Sequence, residues 1–190
     1  MSHFFAYLGR MKYILRWGLM RNTQPENIQE HSLQVAIIGH ALAIIGNRRF
    51  GTSVNPERVA ALAAFHEAGE VITGDLATPI KYFNPTIKEA YKHIEQIASE
   101  KLLSMLPEEF REDYRSLLFQ EDSEEYKLMK AADKICAYIK CLDELRAGNR
   151  EFERATASIR RELDDMKRPE IDYFLEKFAP SFSLTLDELN

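Results

Sequence analysis

Apolar residues in this chain recur at three- and four-residue spacing almost from end to end, and nearly every periodic run opens on a helix-start signal. That pattern excludes a sheet-based fold and predicts an all-α architecture. A first helix is expected over about Ser2–Met20, with Phe4, Phe5, Leu8, Met11 and Leu15 along one side. Asn27, with Glu30 three residues on, caps a second helix that carries Leu33, Val35, Ala36, Ile37, Leu42 and Ile45. Asn55-Pro56-Glu57 places a cap, a proline at the first helical position and an acid at the positive helix end. The helix it starts is expected to carry Val59, Leu62, His66 and Glu70 and to stop at Gly74, where Asp75-Leu76-Ala77-Thr78-Pro79 reads as a loop. Asn84-Pro85 opens a long helix to about Leu106, and Pro107 starts a shorter one. Asp122 or Ser123 caps a helix through Leu128, Ala132, Asp133, Cys136 and Ile139 that closes near Gly148. A pair of helices over about Phe152–Lys167 and Pro169–Phe178 precedes an irregular tail.

With 190 residues and no repeat or linker, one domain over 1–190 is expected. A net charge of -5 argues against nucleic-acid polymers and anionic membranes, since both require a basic surface. A single small phosphorylated ligand stays compatible with it. The longest apolar stretch, Val35–Ile45, is interrupted by Gly39 and His40 and is shorter than the roughly 20 residues that cross a bilayer. Cys136 and Cys141 are five apart, which suits neither a redox pair nor a zinc pair, so they read as buried thiols of a reducing, cytoplasmic protein.

Three places carry ionisable residues where a helical pattern expects apolar ones. His66 and Glu70 stand four apart and share the face marked by Val59 and Leu62. Burying such a pair implies a metal, a countercharge or a polar cavity. His31 sits early in its helix, and Asp133 lies on or beside the stripe of Met129, Ala132 and Cys136. Each has an ordinary alternative: a hydrogen-bonded core histidine, or for Asp133 a salt bridge with Lys130 or Lys134. His66-Glu67-Ala68-Gly69-Glu70 resembles the zinc-protease H-E-x-x-H, but its fifth residue is glutamate where that motif requires histidine. Imidazole and carboxylate donors from separate helices, with no thiolate, suit a borderline divalent ion that can make hydroxide from water near neutral pH.

His31, the pair His66-Glu67 and Asp133 follow the order of the H…HD…D signature, and the chain resembles the HD-domain phosphohydrolases. The stretches SHFFAYLGRMKYILRWGLMRN, ENIQEHSLQVAIIGHALAII, FHEAGEVITGDLATPIKYFN, KAADKICAYIKCLDELRAGN and DYFLEKFAPSFSLTLDE are similar to the bacterial 5′-deoxynucleotidase branch over nearly the whole chain. The resemblance implies a single-domain HD helical bundle, a cytoplasmic homodimer and one divalent ion, cobalt, manganese or copper. It implies hydrolysis of deoxyribonucleoside 5′-monophosphates to nucleoside and phosphate. Carried over by position, His31, His66, Glu67 and Asp133 are the metal ligands, and Arg16 orients the phosphate. Trp17 forms the sugar pocket, where its ring excludes a 2′-hydroxyl; the alternative for it is core packing. Glu70 and Asp75 are the acid/base pair, with the two roles unassigned. Leu76, Ala77 and Thr78, together with His31 and Asp133, also contact substrate. Lys81 is a further phosphate contact or a solvated lysine.

Glu67 stands where the family pattern has aspartate, so the defining HD reads HE. Charge and donor type are kept, but the added methylene displaces the carboxylate by roughly an ångström, more than a metal site tolerates without adjustment. Because the other site residues remain, an active enzyme is expected. Two alternatives stand beside it: an HD phosphohydrolase acting on nucleoside di- or triphosphates or a modified nucleotide, and a noncatalytic nucleotide-binding protein with a degenerate metal site.

Overall fold

The computed structural model describes residues 1–119 and 122–190. The chain is helical, and among the described residues the only β-type pairing is an isolated antiparallel bridge between Leu15 and Asn27. The helices are α1 (Phe4–Leu8), α2 (Ile28–Arg49), α3 (Pro56–Phe65), α4 (Glu70–Thr73), α5 (Thr78–Lys81), α6 (Pro85–Ser104), α7 (Glu108–Leu118), α8 (Glu124–Arg146), α9 (Glu153–Asp165) and α10 (Pro169–Lys177), with short 3-10 turns at Met11–Tyr13, Arg150–Phe152, Ala179–Ser183 and Leu186–Leu189. The caps read from sequence are present. Asn27 Oδ1 accepts from the amides of Gln29 and Glu30, Asn55 Oδ1 from Arg58, Asn84 Oδ1 from Ile87, and Ser123 Oγ from Tyr126.

Two expected helices are broken. The single helix over Ser2–Met20 is instead α1, a 3-10 turn and an extended stretch, because Ile14 and Arg16 pair their backbones with Ile28 and Glu26. The helix expected to carry both His66 and Glu70 ends at Phe65, and tight i to i+3 bonds from Ala68 to Phe65 and from Glu70 to Glu67 re-aim the chain before α4. His66 and Glu70 therefore do not share a helical face. The expected loop is also shorter, since α5 already begins at Thr78.

The chain gathers into two compact units. The first takes in Met1–Arg21, Pro25–Leu33 and residues 64–119; the second takes in Asn22–Gln24, Gln34–Ala63 and Asp122–Asn190. In the first, Phe4, Ala68, Leu102, Leu103, Leu106 and Leu118 form a buried cluster, with Phe65 and Tyr114 packed against it. Ala68 is fully buried there, and this anchors the turn that displays His66, Glu67 and Glu70.

The second unit is built on α8, whose Leu128, Met129, Ala132, Ile135 and Ile139 are buried and which packs on α9. Gly39 of α2 lets α3 approach, since a Cβ there would lie 2.8 Å from Val59 Cγ1. By length and composition α2 could cross a membrane, yet half of its most apolar window is buried against protein. Cys136 and Cys141 are buried thiols, as expected.

One buried carboxylate ties this unit together. Glu144 is 1% exposed and accepts from the Thr23 amide and hydroxyl, the Asn149 amide and the Lys140 ammonium. Burial pushes its carboxyl up, but those donors outweigh it and bring it down to about 2. Such a depressed group contributes stability that is complete above the unfolded value near 4.5 and is lost as pH falls toward 2. Glu144→Ala is expected to cost about 3 kcal/mol, because it strands several buried donors. Denaturant melts at pH 7 and pH 3 check this: the difference between wild type and variant should shrink at the lower pH.

Candidate metal centre

The cap at Asn27 fixes the first turns of α2, and His31, whose amide bonds to the Asn27 carbonyl at 3.1 Å, is completely buried there. The turn between α3 and α4 brings His66 and Glu67 to the same place in the first unit. The two imidazole rings are 5.5 Å apart, and Nε2 of each lies 3.7 Å from Glu67 Oε1. His31, His66 and Glu67 each offer one donor atom within 4.8 Å of the others. That spacing is slightly wider than the roughly 3 to 3.5 Å between donors that each sit about 2.1 Å from one ion.

Glu67 Oε1 also accepts from Arg16 Nη1, while Glu67 Oε2 is buried with no hydrogen-bond partner. A buried carboxylate oxygen left this way costs about 1–3 kcal/mol or more. A cation beside it removes that cost. Two imidazoles and a carboxylate form a mixed nitrogen and oxygen donor set, which fits a borderline divalent ion. The longer side chain at position 67 reaches both histidines and the Arg16 guanidinium.

Arg16 and Trp17 come from the extended stretch. The Arg16 amide bonds to the Glu26 carbonyl at 2.9 Å, and Trp17 adopts φ 61°, a left-handed conformation that a bulky residue holds only under constraint. The constraints are visible: the Trp17 backbone is hydrogen-bonded to Asp75, and its indole Nε1 donates to Glu26 Oε2 at 2.9 Å. Trp17 is half-buried, so simple core packing does not describe it.

Glu70 and Asp75 join the same electrostatic neighbourhood. Burial, then the negative charges of Glu67 and Asp75, push the Glu70 carboxyl up to about 9 against the pull of Arg16 and Lys81. Burial also raises Asp75, reinforced by Glu67 and opposed by Arg16 and Lys81. Glu70 Oε2 is a second buried oxygen without a hydrogen-bond partner.

Leu76 and Ala77 are half-buried on the loop after Asp75, and Thr78 is exposed at the start of α5. Lys81 is not a solvated lysine: it pairs with Glu95 at 2.7 Å and lies over the Tyr91 ring. Asp133 belongs to the second unit, where it sits half-buried on α8 with the Lys130 ammonium at 3.1 Å.

Glu26 was not singled out from the sequence. Burial raises its carboxyl, but His31, Arg16 and Trp17 outweigh this and hold it below the usual range. It precedes the α2 cap, so no helical periodicity marks it; the only sequence signal is its place in the stretch ENIQEH.

Residues 3–182 match the family model described as 5′-deoxynucleotidase YfbR-like. The chain is 56% identical over 191 residues to a 5′-deoxynucleotidase of Vibrio parahaemolyticus, covering 100% of this chain and 98% of that protein. It is 57% identical over 192 residues to a 5′-deoxynucleotidase of Photorhabdus laumondii, with the same coverage. Among solved structures it is similar to an HD-domain phosphohydrolase of Listeria innocua, with a TM-score of 0.82 at 23% identity, covering 95% of this chain and 88% of that one. It is also similar to the HD phosphohydrolase DatZ of cyanophage S-2L, solved with dA and one catalytic zinc ion, with a TM-score of 0.64 at 20% identity, covering 93% of this chain and 96% of that one. At these identities the two structures speak to the fold, which is that of the HD phosphohydrolases.

Proposed function

The chain belongs to the YfbR-like 5′-deoxynucleotidase family, and from that premise we propose that it removes the 5′-phosphate from deoxyribonucleoside 5′-monophosphates in a metal-dependent hydrolysis. The observation that carries this reading is the convergence of His31, His66 and Glu67, with a buried carboxylate oxygen that has no hydrogen-bond partner, beside the Arg16 guanidinium. These three residues hold one divalent ion, with cobalt, manganese or copper in this reading. Asp133 is the fourth ligand on the strength of the H…HD…D order in the sequence. When bound, the ion supplies Lewis acidity toward phosphate and lowers the pKa of coordinated water.

The remaining work falls to side chains. Arg16 presents a fixed cationic fork that orients phosphate oxygens. Glu70, the carboxyl that keeps its proton near neutrality, donates that proton to the departing 5′-oxygen. Asp75 takes the proton of the attacking water, so that deoxynucleoside and inorganic phosphate leave and Glu70 is reprotonated from solvent. Trp17 closes the sugar pocket against a 2′-hydroxyl, and the loop Leu76, Ala77 and Thr78 contacts substrate. The enzyme works as a cytoplasmic homodimer in this reading.

Phosphate release from a panel of deoxyribo- and ribonucleoside mono-, di- and triphosphates tests it, with metal-stripped protein reloaded with cobalt, manganese, copper, magnesium or zinc. Preferential release from deoxyribonucleoside monophosphates is expected. Preference for triphosphates would transfer the reading to a nucleoside triphosphate hydrolase, and binding without release would transfer it to a nucleotide sensor.

A further inference from the structure

Glu26 lies at the junction of three functional groups, and its two carboxylate oxygens have different neighbours. Oε2 accepts from Arg16 Nε at 3.1 Å and from Trp17 Nε1 at 2.9 Å, whereas Oε1 faces His31 Nδ1 at 3.7 Å. Its backbone carbonyl also accepts from the Arg16 amide. We infer that Glu26 is a positioning residue that holds the Arg16 guanidinium and the Trp17 indole with one oxygen and sets the proton of His31 with the other.

The chemistry follows from which groups can donate. Guanidinium Nε and indole Nε1 are donors only, so the atom that faces them must be an acceptor. An imidazole nitrogen can be either, and a carboxylate oxygen opposite Nδ1 favours the tautomer with its proton on Nδ1. Nε2, which faces Glu67 Oε1 at 3.7 Å, then keeps its lone pair for a cation. One carboxylate thus couples metal affinity to the grip on phosphate and sugar. This inference rests on the proposed hydrolysis for what Arg16 and Trp17 do, but not for the state of His31.

Glu26→Gln separates the two oxygens. The Gln oxygen must remain on the two obligate donors, which turns its NH2 group toward His31 Nδ1. Two donors cannot face each other, so His31 must move its proton to Nε2. In metal-free protein with nitrogen-labelled histidine, NMR is expected to show His31 changing from the Nδ1–H to the Nε2–H tautomer. Cobalt affinity by calorimetry is expected to fall about 10- to 100-fold. Discrimination between deoxyadenosine and adenosine 5′-monophosphates should be retained in Glu26→Gln and fall about tenfold in Glu26→Ala, where both donors lose their acceptor.

Discrimination is read from binding in the presence of cobalt as well as from turnover. A wild type that releases no phosphate would therefore sink the hydrolase reading and still leave both arms measurable. Where Glu26→Ala does not fold, Glu26→Met, which keeps similar bulk but offers Arg16 Nε and Trp17 Nε1 no carboxylate oxygen, carries the sugar arm. An unchanged tautomer and cobalt affinity in Glu26→Gln, or unchanged discrimination in the sugar-arm variant, overturns the inference.

Discussion

Replacing His66 by alanine is expected to remove stoichiometric cobalt binding and, with it, phosphate release. The argument is one of donor number. His31, His66 and Glu67 are the three donors that the first unit brings within 4.8 Å of one another, and the loss of His66 removes one of the two imidazoles, leaving a single nitrogen beside carboxylates, the proposed Asp133 included, too weak a set to hold a borderline ion stoichiometrically against water. Changes one layer out from a metal typically cost about 10- to 100-fold in affinity, so the loss of a ligand itself must exceed that. The fold should survive, because the turn that carries His66 is anchored by buried Ala68 and the Phe4 cluster rather than by the imidazole. Calorimetry with cobalt, elemental analysis of the purified variant and a thermal melt separate the two effects. A folded His66→Ala that still binds cobalt tightly would remove His66 from the ligand set.

The parts of this molecule that were legible in the sequence are those fixed locally. Asn27, Asn55, Asn84 and Ser123 satisfy orphan amides of the helix they begin, so α2, α3, α6 and α8 start where their caps say. The breaks were not legible. Phe4 to Leu15 has helical spacing, yet the pairing of Ile14 and Arg16 with Ile28 and Glu26 wins over local propensity, and no feature of residues 2–20 announces partners ten or more positions away. The same holds for His66 and Glu70, whose four-residue spacing suggested a shared face. The tight turns between Phe65 and Glu70 depend on burying Ala68 in a core supplied by α1, α6 and α7. The His66 side chain is buried all the same, because the turn rather than a shared helical face directs it inward. Glu26 shows the other limit, since a residue outside any periodic segment is recognised only when its hydrogen-bond partners are seen.

Glu70→Gln should part catalysis from metal binding, and it should do so in opposite directions for activity and stability. As the proton donor to the leaving oxygen, Glu70 has no substitute in glutamine, so kcat is expected to fall about 10²- to 10⁴-fold while cobalt affinity changes little. The wild-type rate should fall as pH rises through the Glu70 pKa, a limb that the variant lacks; a dication bound beside Glu67 would draw that limb below about 9. Stability follows from the same shift. A carboxyl raised from 4.5 to about 9 supports the metal-free fold fully below pH 4.5, and that support is lost as pH rises toward 9, when burial and the charges of Glu67 and Asp75 oppose ionisation. Glutamine mimics the protonated form at every pH. Metal-free Glu70→Gln should therefore melt with the wild type near pH 4.5 but above it at pH 8, and cobalt should narrow the gap by offsetting the negative charge. Melts of both proteins at the two pH values, with and without cobalt, decide it: a variant that is inactive but no more stable at pH 8 would mean that Glu70 is already ionised there and that the proton must come from another group.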